Sequence, residues 1–364
     1  MRERTMKAAI ISLGSKSSQW TAERMKNYFD EVDMLDVRYL EISFSGKKAE
    51  ILYKGEHLDT YDCIIAKGSF RYANILQSLT VLQPKTTYLP IGDQAFTVAH
   101  DKLLTQLELQ RANIPMPTTY MASTVQAARS ILERLNYPII MKFPQGTQGK
   151  GVLFAESFPS ASSILDALSS LRQPFIIQEY IETGGTDIRA FVIKDKVVAA
   201  FQRKASGSEK RANLHAGGKG EVVELDDETK RIAVRAAKAL QADVCGVDIL
   251  PSHRGPVVLE VNISPGLQGI TEYTGLDVAD MIAKHCYEET KKLVDEEFGS
   301  KSQEILSGIE QVDKEDQSLI TTLDFRGSRI LLPEVVGKAA ELKDGEDYEF
   351  VISKGNISIK KFDL

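Results

Sequence analysis

Three oxygen-bearing side chains in the segment CGVDILPSHRGPVVLEVN have the spacing needed to hold a cation. The segment predicts two antiparallel strands joined by a turn around Arg254. Because side chains alternate along a strand, Glu260 and Asn262 share one face, and symmetric pairing places Asp248 opposite Glu260. Carboxylate and amide oxygens are hard ligands suited to Mg²⁺ or Mn²⁺. The alternative is a polar outer strand face, but the apolar neighbours indicate burial, where unpaired carboxylates would repel each other.

A glycine-rich turn lies between the predicted strands PIIMKF and GVLFAE. Glycines let backbone amides close over phosphate groups, and Lys142 and Lys150 supply positive charge near Gly149. The spacing matches neither GxxxxGK followed by Ser or Thr nor GxGxxG, which disfavours a P-loop or a dinucleotide fold. An ordinary hairpin turn is the alternative for this segment.

Residues 178–181, QEYI, have the pattern of a hinge whose main chain recognises adenine while apolar side chains hold the ring. Asp187 follows shortly afterwards and can accept hydrogen bonds from ribose hydroxyls. A surface turn is the alternative for this aspartate.

Arginines recur in the segment that follows, at Arg189, Arg203 and Arg211, with Asn213 close by. Guanidinium groups suit phosphates and carboxylates, and the stretch ASGSEKRANLHAGGKG predicts a loop that can close over them. A solvated basic face is the alternative.

The elements that must position these groups fall into four parts, which give a fold class of α/β combined with α+β. Residues 1–93 predict a small N-terminal α/β domain, and residues 94–290 predict two α+β lobes, at about 94–176 and 177–290. Residues 291–317 predict a final helix running into an acidic linker. Residues 318–364 predict a separate small β domain with one short helix.

Several local predictions depend on single segments. We expect a strand over residues 37–42, one continuous helix over residues 93–112, and a hairpin whose turn is the KDK tripeptide at residues 194–196. These boundaries rest on apolar periodicity and on turn residues alone.

The composition disfavours several other classes of protein. Hydrophobic residues make up 43% and charged residues 26% of the 364 residues, and no stretch approaches the ~20 apolar residues that a membrane helix needs. We therefore expect a cytoplasmic protein. The net charge of -6 gives no overall attraction to nucleic acid, although a local patch can still bind it. Cys63, Cys245 and Cys286 fit no disulfide or zinc pattern and are expected to be buried thiols.

Taken in order, seven separated motifs resemble the RimK-type branch of the ATP-grasp ligases over roughly residues 1–290. They are the pair Asp101-Lys102, MKFPQGTQGKGV, QEYI, DIRAFV, RANLHAGG, GVDIL and LEVNISPGLQGI. The resemblance implies an ATP-grasp fold, with an N-terminal pre-ATP-grasp domain and two lobes that hold ATP between them.

Site residues follow from this resemblance position by position. It implies that ATP is bound by Lys102, Lys142, Gly149, Lys150, Gln178, Glu179, Tyr180, Ile181, Asp187, Arg211 and Asn213. It implies two Mg²⁺ or Mn²⁺ ions, one held by Asp248 and Glu260 and the other by Glu260 and Asn262. Arg189, Arg203 and Arg211 would act in catalysis, and Ser264 and Gly266 would border the substrate.

The implied activity is ligation of a carboxylate to an amine through an acyl phosphate, with release of ADP and phosphate. Members of this branch commonly add glutamate to a peptide, protein or cofactor acceptor. The chain departs from them in the N-terminal domain, where Ala66 and Lys67 replace a frequent Pro-Arg turn. A ligase of the lysine pathway that works on a carrier protein is a further alternative.

The C-terminal segment GSRILLPEVVGKAAELKDGEDYEFVI resembles the AbrB-like swapped-hairpin domain. Such domains interlock as dimers and often bind DNA, but acidic residues outnumber basic ones in this segment. We therefore expect a homo-oligomer, either a dimer or a tetramer. The alternative from another functional class is a DNA-binding regulator that uses the ATP-grasp body as a nucleotide or metabolite sensor.

Overall fold

The computed structural model describes residues 5–46, 48–144, 151–170, 175–204, 219–310, 324–326, 329–354 and 356–362. The chain divides into two compact units, Met1–Lys291 and Lys292–Leu364. None of the helices in the described ranges combines the length and the apolar character needed to cross a membrane. The three cysteines are buried and free, as expected.

The N-terminal part of the first unit combines a parallel sheet with a small antiparallel one. Its elements are β1 (Lys7–Ser12), α1 (Lys16–Met25), β2 (Glu31–Asp36), β3 (Leu40–Ser45), β4 (Lys48–Tyr53), β5 (Glu56–His57), β6 (Cys63–Ala66) and α2 (Ala73–Leu82). The parallel sheet has the order β2-β1-β6, and β3, β4 and β5 form the antiparallel sheet. The central strand β1 is almost wholly buried, which explains its continuous apolar sequence.

The predicted strand over residues 37–42 is wrong in its first half. A 3₁₀ turn, Val37–Tyr39, precedes β3 there, and the strand β2 before it was not predicted. Asp36 stabilises the turn because its carboxylate accepts a hydrogen bond of 3.0 Å from the backbone N–H of Arg38. A side chain that satisfies the backbone locally in this way competes with strand pairing.

The single helix predicted over residues 93–112 is likewise wrong, because the chain forms two helices, α3 (Ala95–Val98) and α4 (Lys102–Arg111). Asp101 has extended backbone angles and caps α4. Its carboxylate accepts hydrogen bonds from the backbone N–H groups of Leu103 and Leu104, at 2.8 and 3.1 Å. Aspartate is a strong N-cap residue, so a new helix starts here.

The first lobe is a four-stranded antiparallel sheet covered by two helices. Its elements are β7 (Thr119–Met121), α5 (Val125–Leu132), β8 (Ile139–Lys142), β9 (Val152–Ala155), α6 (Phe158–Ser170) and β10 (Ile176–Glu179). The order is β7-β10-β8-β9. Leu132, Met141 and Leu165 are fully buried between helices and sheet. The predicted strands PIIMKF and GVLFAE are confirmed as β8 and β9.

The second lobe is a five-stranded antiparallel sheet with the order β13-β12-β11-β14-β15. Its elements are β11 (Thr186–Ile193), β12 (Lys196–Lys204), β13 (Lys219–Val222), α7 (Asp227–Ala239), β14 (Val244–Ser252), β15 (Gly255–Asn262) and α8 (Gln268–Thr274). The predicted KDK hairpin is confirmed by the pairing of β11 with β12. Apolar residues of β11 and β14 share one core with the buried side of α7. Because side chains alternate, the charged residues of these strands lie on the opposite face.

A long helix, α9 (Val278–Glu310), continues across the division between the two units. The remaining elements belong to the second unit: β16 (Asp324–Arg326), β17 (Arg329–Leu331), α10 (Glu334–Ala339), β18 (Tyr348–Ser353) and β19 (Asn356–Lys361). They form two hairpins, β16-β17 and β18-β19, with α10 between them in sequence.

Backbone hydrogen bonds join the N-terminal part directly to the second lobe. The N–H of Gly92 donates to the carbonyl of Gln241, and the N–H of Asp243 donates to the carbonyl of Pro90, both at 2.7 Å. A Cβ atom at Gly92 would lie 2.7 Å from the Cβ of Gln241 and 3.1 Å from its carbonyl oxygen. Only glycine therefore fits at this junction.

Gly92→Ala is expected to lower the free energy of unfolding of the first unit by about 1–3 kcal/mol, the cost typical of overpacking. Urea denaturation followed through the single tryptophan, Trp20 in α1, measures the change. Gly337→Ala is the control, since nothing lies within 4 Å of an added Cβ in α10. Equal transitions for Gly92→Ala and the unmodified chain would contradict the proposed junction.

Candidate active site

The register of β14 and β15 brings the predicted cation ligands together. Asp248 pairs with Glu260 and Gly246 pairs with Asn262, which confirms the predicted hairpin. Glu260 and Asn262 are two residues apart on one strand and so share a face. The predicted pairing of Asp248 with Glu260 is confirmed, but it depends on a register irregularity between Asp248 and Ile249 that the symmetric hairpin did not include.

Asp248 lies at the centre of a buried ionic network that the sequence did not reveal. Arg189 donates two hydrogen bonds to its carboxylate, from Nε at 2.5 Å and from Nη2 at 2.6 Å. Arg203 approaches the same carboxylate at 3.1 Å and makes a second bidentate pair with Asp187, at 2.6 and 2.7 Å. The four side chains alternate in charge across β12, β11 and β14, which keeps each buried charge compensated.

The protonation states follow from burial and from these partners. Burial by itself would raise the pKa of Asp248, but the attraction of Arg189 and Arg203 outweighs it and holds the pKa of that carboxyl below its usual value. Burial raises the pKa of Asp187 in spite of Arg203, and the charge on Asp248 adds to the rise. Asp248 is therefore the more firmly ionised of the two carboxyl groups.

The ionic network affects two predicted roles, ribose binding by Asp187 and cation binding by Asp248. Both oxygens of Asp187 accept hydrogen bonds from Arg203, so binding of a ribose here requires Arg203 to release one of them. Likewise, a cation at Asp248 has to share that carboxylate with two guanidinium groups. The ribose role of Asp187 and the cation role of Asp248 stay predictions.

Two lysines, Lys102 at the start of α4 and Lys142 at the end of β8, lie near a carboxylate of the second lobe. Lys142 is buried, and its ammonium group donates to Oε1 of Gln178 at 2.8 Å. Burial, helped by the charge of Lys102, lowers the pKa of Lys142 to about 8, while Glu260 opposes that shift. The structure thus brings Lys102, Lys142 and Glu260 into one electrostatic neighbourhood. Two cations beside a single carboxylate favour an anionic ligand with several charges.

The predicted adenine hinge, residues 178–181, begins in the last two residues of β10 and continues past its end. The backbone N–H of Glu179 donates to the carbonyl of Thr118 at 2.9 Å, and the Glu179 carboxylate accepts from the Thr118 N–H at 3.1 Å. The ring of Tyr180 packs edge-on against Phe154, with 5.1 Å between centroids. These contacts hold the main chain in place before Ile181. The adenine-binding role of residues 178–181 stays a prediction.

Four predicted residues lie outside the described part of the chain: Gly149, Lys150, Arg211 and Asn213. Their roles in binding ATP and in catalysis stay predictions.

The segment after Asn262 is tied to the first helix of the chain. The Ser264 N–H donates to the side-chain oxygen of Asn262 at 3.0 Å. Ser17, buried in α1, accepts from the Leu267 N–H and donates to Oε1 of Gln268, both at 2.8 Å. The predicted substrate residues Ser264 and Gly266 lie within this anchored segment. Sequence reasoning missed Ser17, because no pattern links residues 250 positions apart.

The side-chain oxygens of Asp248, Glu260 and Asn262 are of the kind that binds a hard divalent cation. Within the described ranges, no three acidic, histidine or cysteine side chains cluster as a cation site, so the candidate ligands are two carboxylates and one amide. Among the described residues, Glu260 has neither a hydrogen-bond nor an ion-pair partner. An unpartnered carboxylate beside the side-chain oxygen of Asn262 fits Mg²⁺, which needs few protein ligands.

Known proteins match most of the chain. The model of the RimK-like ATP-grasp domain matches residues 99–286. A probable alpha-L-glutamate ligase of Vibrio cholerae is 38% identical over 287 residues, which cover 77% of this chain and 94% of that protein. A probable alpha-L-glutamate ligase of Methanococcoides burtonii is 37% identical over 289 residues, which cover 77% of this chain and 95% of that protein.

Solved structures share the fold at lower identity. The ATP-grasp ligase PsnB, in complex with a minimal precursor, Mg and ADP, is 19% identical, with a TM-score of 0.62 over 79% of this chain and 99% of that chain. A RiPP-associated ATP-grasp ligase of Chryseobacterium gregarium, in complex with ADP and a leader and core peptide, is 13% identical. Its TM-score is 0.60, and the match covers 78% of this chain and 97% of that chain. The family match, the relatives and the fold agree, and the chain belongs to the RimK-like ATP-grasp ligases, enzymes that form a C–N bond.

Proposed function

We propose that the protein joins an amino acid, glutamate in the first place, to a free carboxylate of a peptide, protein or cofactor acceptor. ATP first converts that carboxylate to an acyl phosphate, the amine of the amino acid then attacks the acyl carbon, and ADP and phosphate are released. The observation that carries this proposal is the placement of Asp248, Glu260, Asn262, Arg189 and Arg203 on adjacent strands of one sheet. The relatives named as glutamate ligases support the choice of amino acid.

ATP and Mg²⁺ are the proposed co-substrate and metal. A structural neighbour contains Mg and ADP, and the oxygen donors of this chain fit the same ion. When bound, Mg²⁺ neutralises phosphate oxygens during phosphoryl transfer. We propose two ions, with Glu260 shared between them, and Mn²⁺ as a possible substitute for Mg²⁺, because the same hard oxygens suit both metals.

The remaining roles belong to side chains of the chain itself. Lys102 and Lys142 neutralise the phosphates from the first lobe, while Arg203 holds the phosphoryl group as it is transferred. Arg189 donates towards the oxyanion that forms when the amine attacks. Such fixed donors are effective because the site does not have to reorganise during the reaction.

Peptides are the acceptor class with the most support. Two structural neighbours are ATP-grasp ligases in complex with a precursor peptide or with a leader and core peptide. The alternative of a DNA-binding regulator is not favoured, because the relatives and the structural neighbours are ligases.

The test of the proposal is ADP release with Mg²⁺ and ATP, with amino acids screened against a metabolite and peptide extract and the products weighed by mass spectrometry. We expect a mass gain of one glutamate residue on one extract component. ADP release without any amino-acid dependence would contradict the proposal.

Glu260→Gln is expected to reduce turnover by at least about 100-fold, because it weakens both proposed ion sites and each ion supplies several kcal/mol of charge stabilisation. The fold should remain, since the side chain makes no ion pair within the described residues. ADP release and circular dichroism measure the two effects, with the exposed residue change Glu41→Gln as control. Full activity of Glu260→Gln in Mg²⁺ would contradict the assignment of Glu260 as a metal ligand.

Lys142→Met is expected to raise KM for ATP by about 10-fold or more, since a charge-assisted hydrogen bond contributes about 1.5–3 kcal/mol, and to leave KM for the acceptor nearly unchanged. Methionine fills the same buried space without the charge. Steady-state kinetics with each substrate varied in turn provides the measurement. Equal increases in both KM values would contradict a phosphate role.

We also propose that the second unit makes the protein a homo-oligomer, as the AbrB-like resemblance implies. Phe350, Ile352 and Ile357 are 59, 74 and 54% exposed, and Ile352 pairs with Ile357 across the β18-β19 hairpin. An isolated two-stranded hairpin is marginally stable in water. A second copy that covers this apolar face would remove it from solvent and complete the sheet.

Light scattering is expected to give at least about twice the chain mass of 40.4 kDa, as for a closed dimer. Ile352→Glu should reduce the particle to a monomer, whereas Lys354→Glu in the hairpin turn should not. A monomeric unmodified chain would contradict the proposal.

A further inference from the structure

An ammonium group that no carboxylate of the described residues neutralises lies beside the candidate active site. Lys67 directly follows β6, and its backbone N–H donates to the carbonyl of Ile11 at 2.8 Å, which fixes its position at the carboxyl end of the parallel sheet. Ligands of open α/β sheets bind at such carboxyl ends. Among the described residues, no carboxylate pairs with its side chain.

Lys67 lies on the wall of a narrow crevice between the N-terminal part and the second lobe. The crevice is about 20 Å³ in volume. Its wall is apolar apart from Thr21 and Lys67, and it includes Ile263, Pro265 and Leu267 from the anchored segment. Lys67 as a residue is partly exposed, while its ammonium group is buried. The crevice holds no more than one water-sized group. A larger ligand would therefore contact Lys67 from the opening of the crevice.

The crevice adjoins the charged face of the second lobe. A Cβ at Gly246 would lie 3.2 Å from Cδ of Arg189 and 3.2 Å from Cβ of Pro265. The arginine stem and the anchored segment therefore meet over this glycine. Phe191 and Val244 also line the crevice, on the two strands that carry Arg189 and Asp248. A ligand that contacts Lys67 thus lies next to the reacting groups.

The charge balance indicates what that ligand is. Arg189 and Arg203 are already neutralised by Asp187 and Asp248, whereas no carboxylate in the described ranges compensates Lys67. A carboxylate that has become an acyl phosphate no longer offers two equivalent oxygens to an ammonium group. The carboxylates of the incoming amino acid stay free throughout the reaction.

We propose that Lys67 binds the side-chain carboxylate of the incoming amino acid and thereby selects an acidic one. This inference rests on the proposed function. Lys67 is a specificity-determining residue that contacts substrate without taking part in bond formation.

The ionisation of Lys67 provides a second readout. Burial lowers the pKa of its ammonium group to about 8, so the charge is present below pH 8 and is lost as the pH rises through that value. No other lining residue of the crevice is charged. The titratable group beside it is His100, which hydrogen-bonds to the Gly68 backbone and has its pKa lowered by burial.

Calorimetry in the presence of ADP and Mg²⁺ tests the inference. It measures how tightly the unmodified protein and Lys67→Met each bind L-glutamate, L-glutamine and L-isoglutamine. We expect Lys67→Met to weaken glutamate binding about 10- to 100-fold, the value of a charge-assisted hydrogen bond. The effect should vanish for L-glutamine, which lacks the side-chain carboxylate, and should persist for L-isoglutamine, which keeps it. The reverse result would overturn the inference. Lys67→Arg should retain binding and should also keep it above pH 8, because arginine stays charged.

Lys26→Met is the control, since Lys26 is exposed and pairs with Glu23. An equal effect of Lys67→Met on all three ligands would overturn the inference, as would failure of the unmodified protein to bind any of them. The proposed function is judged separately by turnover. If glutamate binds in a Lys67-dependent way but no acceptor is modified, the ligation fails as a proposal and the carboxylate site stands.

Discussion

The buried charge of Asp248 is the constraint on which the architecture of the site depends. A carboxylate in this position is costly unless it is compensated, and Arg189 and Arg203 compensate it from two neighbouring strands. For both arginines to reach it, β12, β11 and β14 must keep one register. The KDK turn sets the first pairing, and α7 covers the other face of the sheet, so the apolar core and the charged face specify the same alignment.

The sequence was sufficient to predict contacts between residues that are close together along the chain. The sequence predicted that Asp248 lies opposite Glu260, and the structure confirms the pair. It did not predict the irregularity between Asp248 and Ile249 that brings the two residues opposite each other. The KDK hairpin was likewise predicted and is confirmed. The break at Asp101 was also within reach, because an aspartate that begins a helix is a known signal, but continuous apolar periodicity concealed it.

The contacts that could not be predicted depend on strands and helices that are distant in sequence. The pairing of Arg203 with Asp187 follows from a register that includes an irregularity between Phe191 and Val192. The anchoring of Leu267 by Ser17 joins residues 250 positions apart. Periodicity reports which side of an element is buried, but not which element covers it. Such partners are fixed only when the whole core is assembled.

The internal neutralisation of the network determines which groups are left to bind substrates. Two carboxylates and two guanidinium groups already balance one another in charge, so the negative charge brought by a nucleotide or an acidic substrate needs further cations. The guanidinium groups, each with five N–H donors, can still donate hydrogen bonds to that substrate. Lys102 and Lys142 lie beside Glu260 at the first lobe, and Lys67 lies at the crevice near Pro265. Burial lowers the pKa of both Lys142 and Lys67 to about 8, and a bound anion would raise each value again. Ligand binding and protonation are therefore coupled at both ends of the site, while the arginines between them keep their geometry.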